Sequence, residues 1–313
     1  MASKTGIAWC DSTFNPWIGC TKISPACDNC YAESIIDTRL HVAKWGAGQP
    51  RHRTSVANWK QVERWNAKPF YECEACGWRG EDDTQSDRLR ICMHCGTGAR
   101  LTLARRRVFC ASLGDVFDNE VDPLWRADLF ALIERTPNLD WLLLTKRIGN
   151  VERMTMDALR SMFLQSDKEP TTWPWPNIWL GTTVCNQEEA DRDIPKLLSV
   201  PAAMRFLSIE PMLGQIDLTC VSPRIFDAKA NVLTGKWKWN KGPVVQEYPP
   251  LDWVICGGES GKNARPMHPE WVRSLRDQCS AAGVPFFFKQ WDGTKSAGRL
   301  LDGREHNEFP EAV

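Results

Sequence analysis

Two groups of cysteines carry the clearest chemistry in the chain. Cys73 and Cys76 in "CEAC" and Cys92 and Cys95 in "CMHC" give the spacing C-x2-C-x15-C-x2-C. Each knuckle turns tightly enough to aim two thiolates at one ion, and two knuckles complete a tetrahedron, the pattern of structural zinc. Gly77 and Gly96 follow the knuckles and permit the tight backbone. Cys20, Cys27 and Cys30, in "GCTKISPACDNCYAE", have no fourth cysteine close behind them. Three thiolates hold three irons of a cubane and leave the fourth iron open to another ligand. Catalysis at a metal needs such an open position. A zinc ion completed by remote His41 or Cys10 is the alternative.

These groups need elements to place them, and the sequence alternates in a regular way. Six short apolar runs recur from about residue 105: "RRVFCASLGDVF", "DWLLLTKR", "NIWLGTTV", "MRFLSIEP", "LDWVICGGESG" and "VPFFFKQW". Between most of them lie stretches with apolar residues at helical spacing, such as "DPLWRADLFALIERT". "GIAW" before the cysteine loop and "YAESIIDTRLHVAKWG" after it read as one further unit. Strands alternating with helices imply a parallel sheet. The fold class is therefore α/β, a partial or complete (β/α) barrel, with a doubly wound open sheet as the runner-up. One domain spans 1–313, with a four-cysteine, zinc-ribbon-like insertion at 70–100 and a loop or hairpin insertion at 221–250. Ligands of such folds gather at the C-terminal strand ends. Asn15, Ser112, Asp115, Thr145, Lys146, Thr182, Glu210, Glu259 and Lys289 fall there.

The composition is that of a globular protein: 39 basic and 39 acidic residues balance, and no basic coat for nucleic acid exists. Short basic patches do occur, "RHR" at 51–53, "RRR" at 105–107 and "KWKWNK" at 236–241. Most of the sixteen tryptophans belong in the core or at its rim, with a minority available to stack on bases. No apolar run approaches the roughly 20 residues that span a membrane, and no signal-peptide pattern begins the chain. A cytoplasmic location follows as an expectation, and there thirteen cysteines serve as metal ligands and buried thiols.

The chain resembles radical S-adenosylmethionine (radical SAM) enzymes, and more closely a phage-associated three-cysteine family of them. The matching stretches are "NPWIGCTKISPACDNCYAE", "LTKR", "RFLSIEPMLG", "DWVICGGESG", "ARPMHPEWVRSLRDQC" and "VPFFFKQW". The resemblance implies a [4Fe-4S] cluster on Cys20, Cys27 and Cys30, whose open iron takes the amino and carboxylate groups of S-adenosylmethionine. It assigns Ser112 and Asp115 to the cofactor's amino end and Gly257 and Gly258 to the cofactor pocket. Lys146, Glu210, Glu259 and Lys289 become the catalytic set, Glu259 or Glu210 for an ammonium and Lys146 or Lys289 for a carboxylate or phosphate. For "GGES" the plain alternative is a strand-to-helix turn with a capping role.

Relatives of that family act in phage DNA thymidine hypermodification. The implied reaction isomerises a thymine-linked glycine from N-linked to Cα-linked, in the host cytoplasm if the chain is phage-encoded. A radical lyase or methylating enzyme on DNA or RNA is a second expectation. A non-enzymatic, zinc-stabilised nucleic-acid-binding protein is a third. The implied partners are DNA with a flipped, modified thymine base, or a modified nucleotide, and an electron donor such as flavodoxin or ferredoxin, with no membrane. The zinc insertion and the "KWKWNK" loop are the segments expected to hold the DNA backbone.

Overall fold

A computed structural model describes residues 5–81, 91–223, 228–239, 244–293 and 298–311. Its centre is a sheet of seven strands: β1 (Ser12–Phe14), β2 (Arg106–Cys110), β3 (Leu139–Thr145), β4 (Ile178–Thr183), β5 (Met204–Ile209), β6 (Trp253–Gly257) and β7 (Phe286–Gln290). Every pairing is parallel, and the spatial order is the chain order. Each crossover thus advances one place in the same direction, whereas a doubly wound sheet reverses at a switch point. The sheet is a partial barrel. Along the free edge of β7 lies the C-terminal segment, where the Phe288 amide donates to His306 O at 2.9 Å.

Helices α1 (Val56–Ala67), α2 (Pro123–Glu134), α3 (Val151–Ser166), α4 (Gln187–Ser199) and α5 (Pro269–Ala282) surround the sheet. Their starts follow the sequence. Asp122 caps α2 through the Leu124 amide with Pro123 in the first turn, and Asn186 caps α4 through the Glu189 amide. Gly283, at φ 70°, ends α5. Among the described residues no helix is long and apolar enough to cross a membrane.

Alternate residues of a strand face opposite sides. Phe109, Leu142, Trp179, Phe206, Ile255 and Phe287 point into the barrel and form one buried cluster with Trp9. Their neighbours Val108, Leu143, Leu180, Leu207, Val254 and Phe288 belong to the larger cluster that includes the helix faces. Each such side chain contributes about 1.5–3 kcal/mol on burial. The interior is filled: a Cβ on Gly181 would sit 2.4 Å from the Phe206 ring.

Six of the seven strands lie where the apolar runs place them; the first unit differs. "GIAW" is not a strand. Trp9 is 2% exposed and plugs the barrel, 4.6 Å from the Phe109 ring, while the short β1 begins at Ser12. The helix expected over 31–46 is only a turn at Tyr31–Glu33 and a π-helical stretch at Ser34–Arg39. Asp37 then accepts from the Trp45 amide (2.8 Å) and Lys44, which folds the chain back. The crossover to β2 uses α1 instead, whose Trp59, Val62 and Trp65 are buried.

Both insertions are built of antiparallel strands. The four-cysteine segment forms a three-stranded sheet from Tyr71–Cys73, Arg79–Gly80 and Leu101–Leu103. Arg79 ties it to Asp11 at 3.1 Å and to Arg105 O at 2.6 Å, beside the starting ends of β1 and β2. It therefore sits at the N-terminal end of the barrel. The second insertion forms strands Ala228–Asn231, Lys236–Trp239 and Val244–Glu247, and takes the place of a helix between β5 and β6. Trp237 is 4% exposed and stacks 4.4 Å from Tyr248, so it serves the outer core rather than a base. Asn240 and Lys241 of "KWKWNK" lie outside the described residues.

Candidate active site and metal centres

A cavity of about 410 Å³ opens at the C-terminal ends of the strands. Its floor is apolar, made by Trp9, Phe109 and Leu144. Of the residues expected there, Cys20, Cys27, Cys30, Ser112, Asp115, Lys146, Glu210, Gly258, Glu259 and Lys289 all line it. Gly257 stands behind the wall, where a Cβ would come 3.1 Å from Glu210 Oε1 and 3.4 Å from Lys289 Cβ. Thr182 does not line it. Its hydroxyl turns away to Thr145 O at 3.1 Å, and Thr183, one residue on, faces the cavity.

The cysteine loop forms one side of this space. Gly19, at φ 113°, turns the chain into it, and Ser24 caps a short turn at Pro25–Cys27 through the Ala26 amide. Three arginines pin the loop. Arg147 donates to Cys20 Sγ (3.4 Å) and Thr21 O (2.8 Å). Arg51 reaches the Thr21 hydroxyl at 2.7 Å and pairs with Asp118 at 2.8 Å. Arg265 holds Pro25 O and Asp28, each at 2.9 Å. Burial, with the Asp115 charge after it, pushes the Cys20 thiol up to about 12, while Arg147 pulls the other way.

The carboxylates differ in what they have left to offer. Asp115 accepts from the Phe117 amide (2.9 Å), the Thr145 hydroxyl (2.7 Å), the Lys146 amide (3.1 Å) and Arg147 (3.2 Å). Four bonds fill a carboxylate's acceptor sites. Asp115 therefore positions Arg147 and the β2–β3 rim. Ser112 is likewise engaged, its hydroxyl with Asn15 (3.0 Å) and its carbonyl with Tyr31 (2.7 Å). Glu259 takes Asn29 (2.8 Å), the Arg265 amide (2.9 Å) and the Arg265 guanidinium, bracing the cysteine loop. Burial opposes its ionisation, but the bonds from Arg265 and Asn29 win and hold its carboxyl below the ordinary value. Glu210 pairs with Lys289 at 2.6 Å.

In the insertion, Cys73, Cys76, Cys92 and Cys95 bring their sulfurs within 4.8 Å of one another. The Cys73–Cys95 and Cys76–Cys92 separations are 4.0 and 3.8 Å. A zinc–thiolate bond of about 2.3 Å gives a tetrahedron with edges of about 3.8 Å. The set is shaped for a metal ion such as zinc, with Gly77 and Gly96 left-handed (φ 67° and 65°) behind the knuckles. Among the described residues it is the one group of that closeness. Cys20, Cys27 and Cys30 line the cavity together. Cys10 instead points its thiol at Ile7 O, inside the barrel cluster.

The chain belongs to the DUF5131 family. The family's model, described as a protein of unknown function, matches residues 4–310. No curated protein and no solved structure matches. The DUF5131 match takes in the cavity and both cysteine groups. It also takes in the three arginines that pin the cysteine loop and that sequence reasoning passed over, Arg51, Arg147 and Arg265. Arg147 ends "LTKR", two residues past β3, and that position was the available signal for it; Arg265 lies eight residues past β6, in the loop before α5, where no such signal marks it.

Proposed function

We propose that this DUF5131 chain is a radical SAM enzyme that modifies a nucleic-acid base, isomerising a thymine-linked glycine in phage DNA. One observation carries the reading: three thiols of one loop line the same cavity as the polar wall. The donor set fits an iron–sulfur cluster, since thiolates are its ligands and three of them leave one iron of a cubane open. With S-adenosylmethionine, such a cluster supplies one-electron chemistry that opens an unactivated C–H bond. The chain's own residues do the rest. Arg147 offsets the charge of the Cys20 thiolate, and the Glu259–Arg265 pair fixes the far end of the loop. Trp9, Phe109 and Leu144 offer an apolar floor to a planar ring and keep water from it. The target base reaches that floor by flipping out of its stack. The zinc insertion, at the opposite end of the barrel, holds shape there rather than the DNA backbone.

The test is anaerobic reconstitution with iron and sulfide. S-adenosylmethionine, a one-electron donor of the flavodoxin or ferredoxin class and glycine-bearing DNA are then added, with mass spectrometry of the nucleosides. An isomeric nucleoside of unchanged mass, formed with 5′-deoxyadenosine, is the expected result. Unmodified nucleosides and no 5′-deoxyadenosine from iron-loaded protein would overturn it.

A further inference from the structure

Charges around the cavity nearly cancel within the chain. Asp115 is spent on Arg147, Glu259 on Arg265, and Lys22 on Glu33 at 2.6 Å. Lys289 has Glu210. Among the described residues, Lys146 faces the cavity without any carboxylate; its ammonium reaches only the Thr183 hydroxyl, at 3.5 Å. A half-buried ammonium loses hydration that one hydroxyl offsets only in part. Glu210 is its complement. Lys289 and the Ser208 hydroxyl (3.3 Å) take two of its roughly four acceptor sites, which leaves room for another donor.

These groups share one wall. Leu144 registers with Gly181 and Thr183 with Ser208, so Lys146, Thr183, Ser208 and Glu210 rise on the inward parity of three adjacent strands. At about 4.8 Å per strand, the open cation and the open acceptor stand roughly 10 Å apart at the backbone. Both side chains reach inward between them, above the apolar floor.

We propose that this wall binds the α-amino-acid group of the substrate. Lys146 and Thr183 take its carboxylate, and Glu210, with Ser208, takes its ammonium or amine. A carboxylate suits the site better than a phosphate. Lys146 is a single ammonium beside hydroxyls, and the one guanidinium fork lining the cavity among the described residues, Arg147, is already committed. The subsite deepens the reading above, but its geometry does not rest on iron.

As-isolated, full-length protein is titrated calorimetrically with N-benzylglycine, whose ring matches the floor, and with its two halves, benzylamine and phenylacetate. N-benzylglycine should bind at least about tenfold tighter than either half, as one added charge-assisted bond implies. Lys146→Met and Glu210→Gln should each cost about tenfold or more, and Lys146→Arg should restore most of the affinity. Unchanged melting temperatures separate this from misfolding. Equal affinity of the three probes, absence of saturable binding, or wild-type affinity in a folded Lys146→Met overturns the subsite. So does a Lys146→Met that loses S-adenosylmethionine affinity while keeping N-benzylglycine, which would give the wall to the cofactor. Failure of the triad to hold iron defeats the radical reading alone and leaves this titration intact.

Discussion

Asp115→Asn separates a bracing carboxylate from a cofactor ligand. In the wild type, Oδ1 receives Phe117 N and the Thr145 hydroxyl, while Oδ2 receives Lys146 N and Arg147. An asparagine keeps one oxygen and sets an NH2 against two of these four donors. The charge that pairs with buried Arg147, 6% exposed at the side chain, is also lost. Two buried charge-assisted bonds at about 1.5–3 kcal/mol each, or one broken buried pair, give a cost of about 3–5 kcal/mol. In a chain of this size that lowers the melting temperature by about 5–8 °C. Scanning calorimetry with a urea titration measures it, and S-adenosylmethionine affinity is measured below the transition. Retained affinity in a destabilised protein is the expected pair of results. A variant with wild-type melting and lost cofactor affinity would refute the bond accounting and make Asp115 a ligand.

The two metal sites should respond separately. Cys73→Ser, or chelation of zinc, should melt the insertion and leave iron on the triad, as read by metal analysis and calorimetry. Glu259→Gln should destabilise at neutral pH, because a carboxyl held below its ordinary value adds stability above about pH 4.3. That difference should shrink as pH falls through the native Glu259 value, so parallel pH–stability curves would contradict the Arg265 brace. Gly258→Ala places a Cβ 2.3 Å from the Asp292 amide nitrogen. Backbone must then move, with a cost of about 1–3 kcal/mol visible in urea melts.

Much of the barrel was legible because each apolar run from β2 to β7 ends abruptly in polar residues, which marks both a strand and its C-terminal end. The first unit was not. Its strand is three residues long, and the more apolar "GIAW" beside it fills the barrel instead of lining it. Parity was also hidden. β4 is buried on both faces, so "NIWLGTT" has no alternation to show that Thr183 rather than Thr182 faces inward. The four thiols of the insertion were legible from spacing alone, since ligand geometry is local. The roles of Asp115 and Glu259 were not, because each depends on donors brought from distant loops. Arginines such as Arg51 and Arg147 read as solvated charge until tertiary structure buries them.

The central claim is an open iron–sulfur centre on Cys20, Cys27 and Cys30. Electron paramagnetic resonance of the reduced, reconstituted protein, with and without S-adenosylmethionine, tests it most directly, alongside metal analysis. About four irons per chain are expected beside one zinc, the irons alone being lost when the three cysteines become alanine, with a signal that shifts when S-adenosylmethionine is added. Zinc on the triad, or an iron signal that S-adenosylmethionine leaves unchanged, would contradict it.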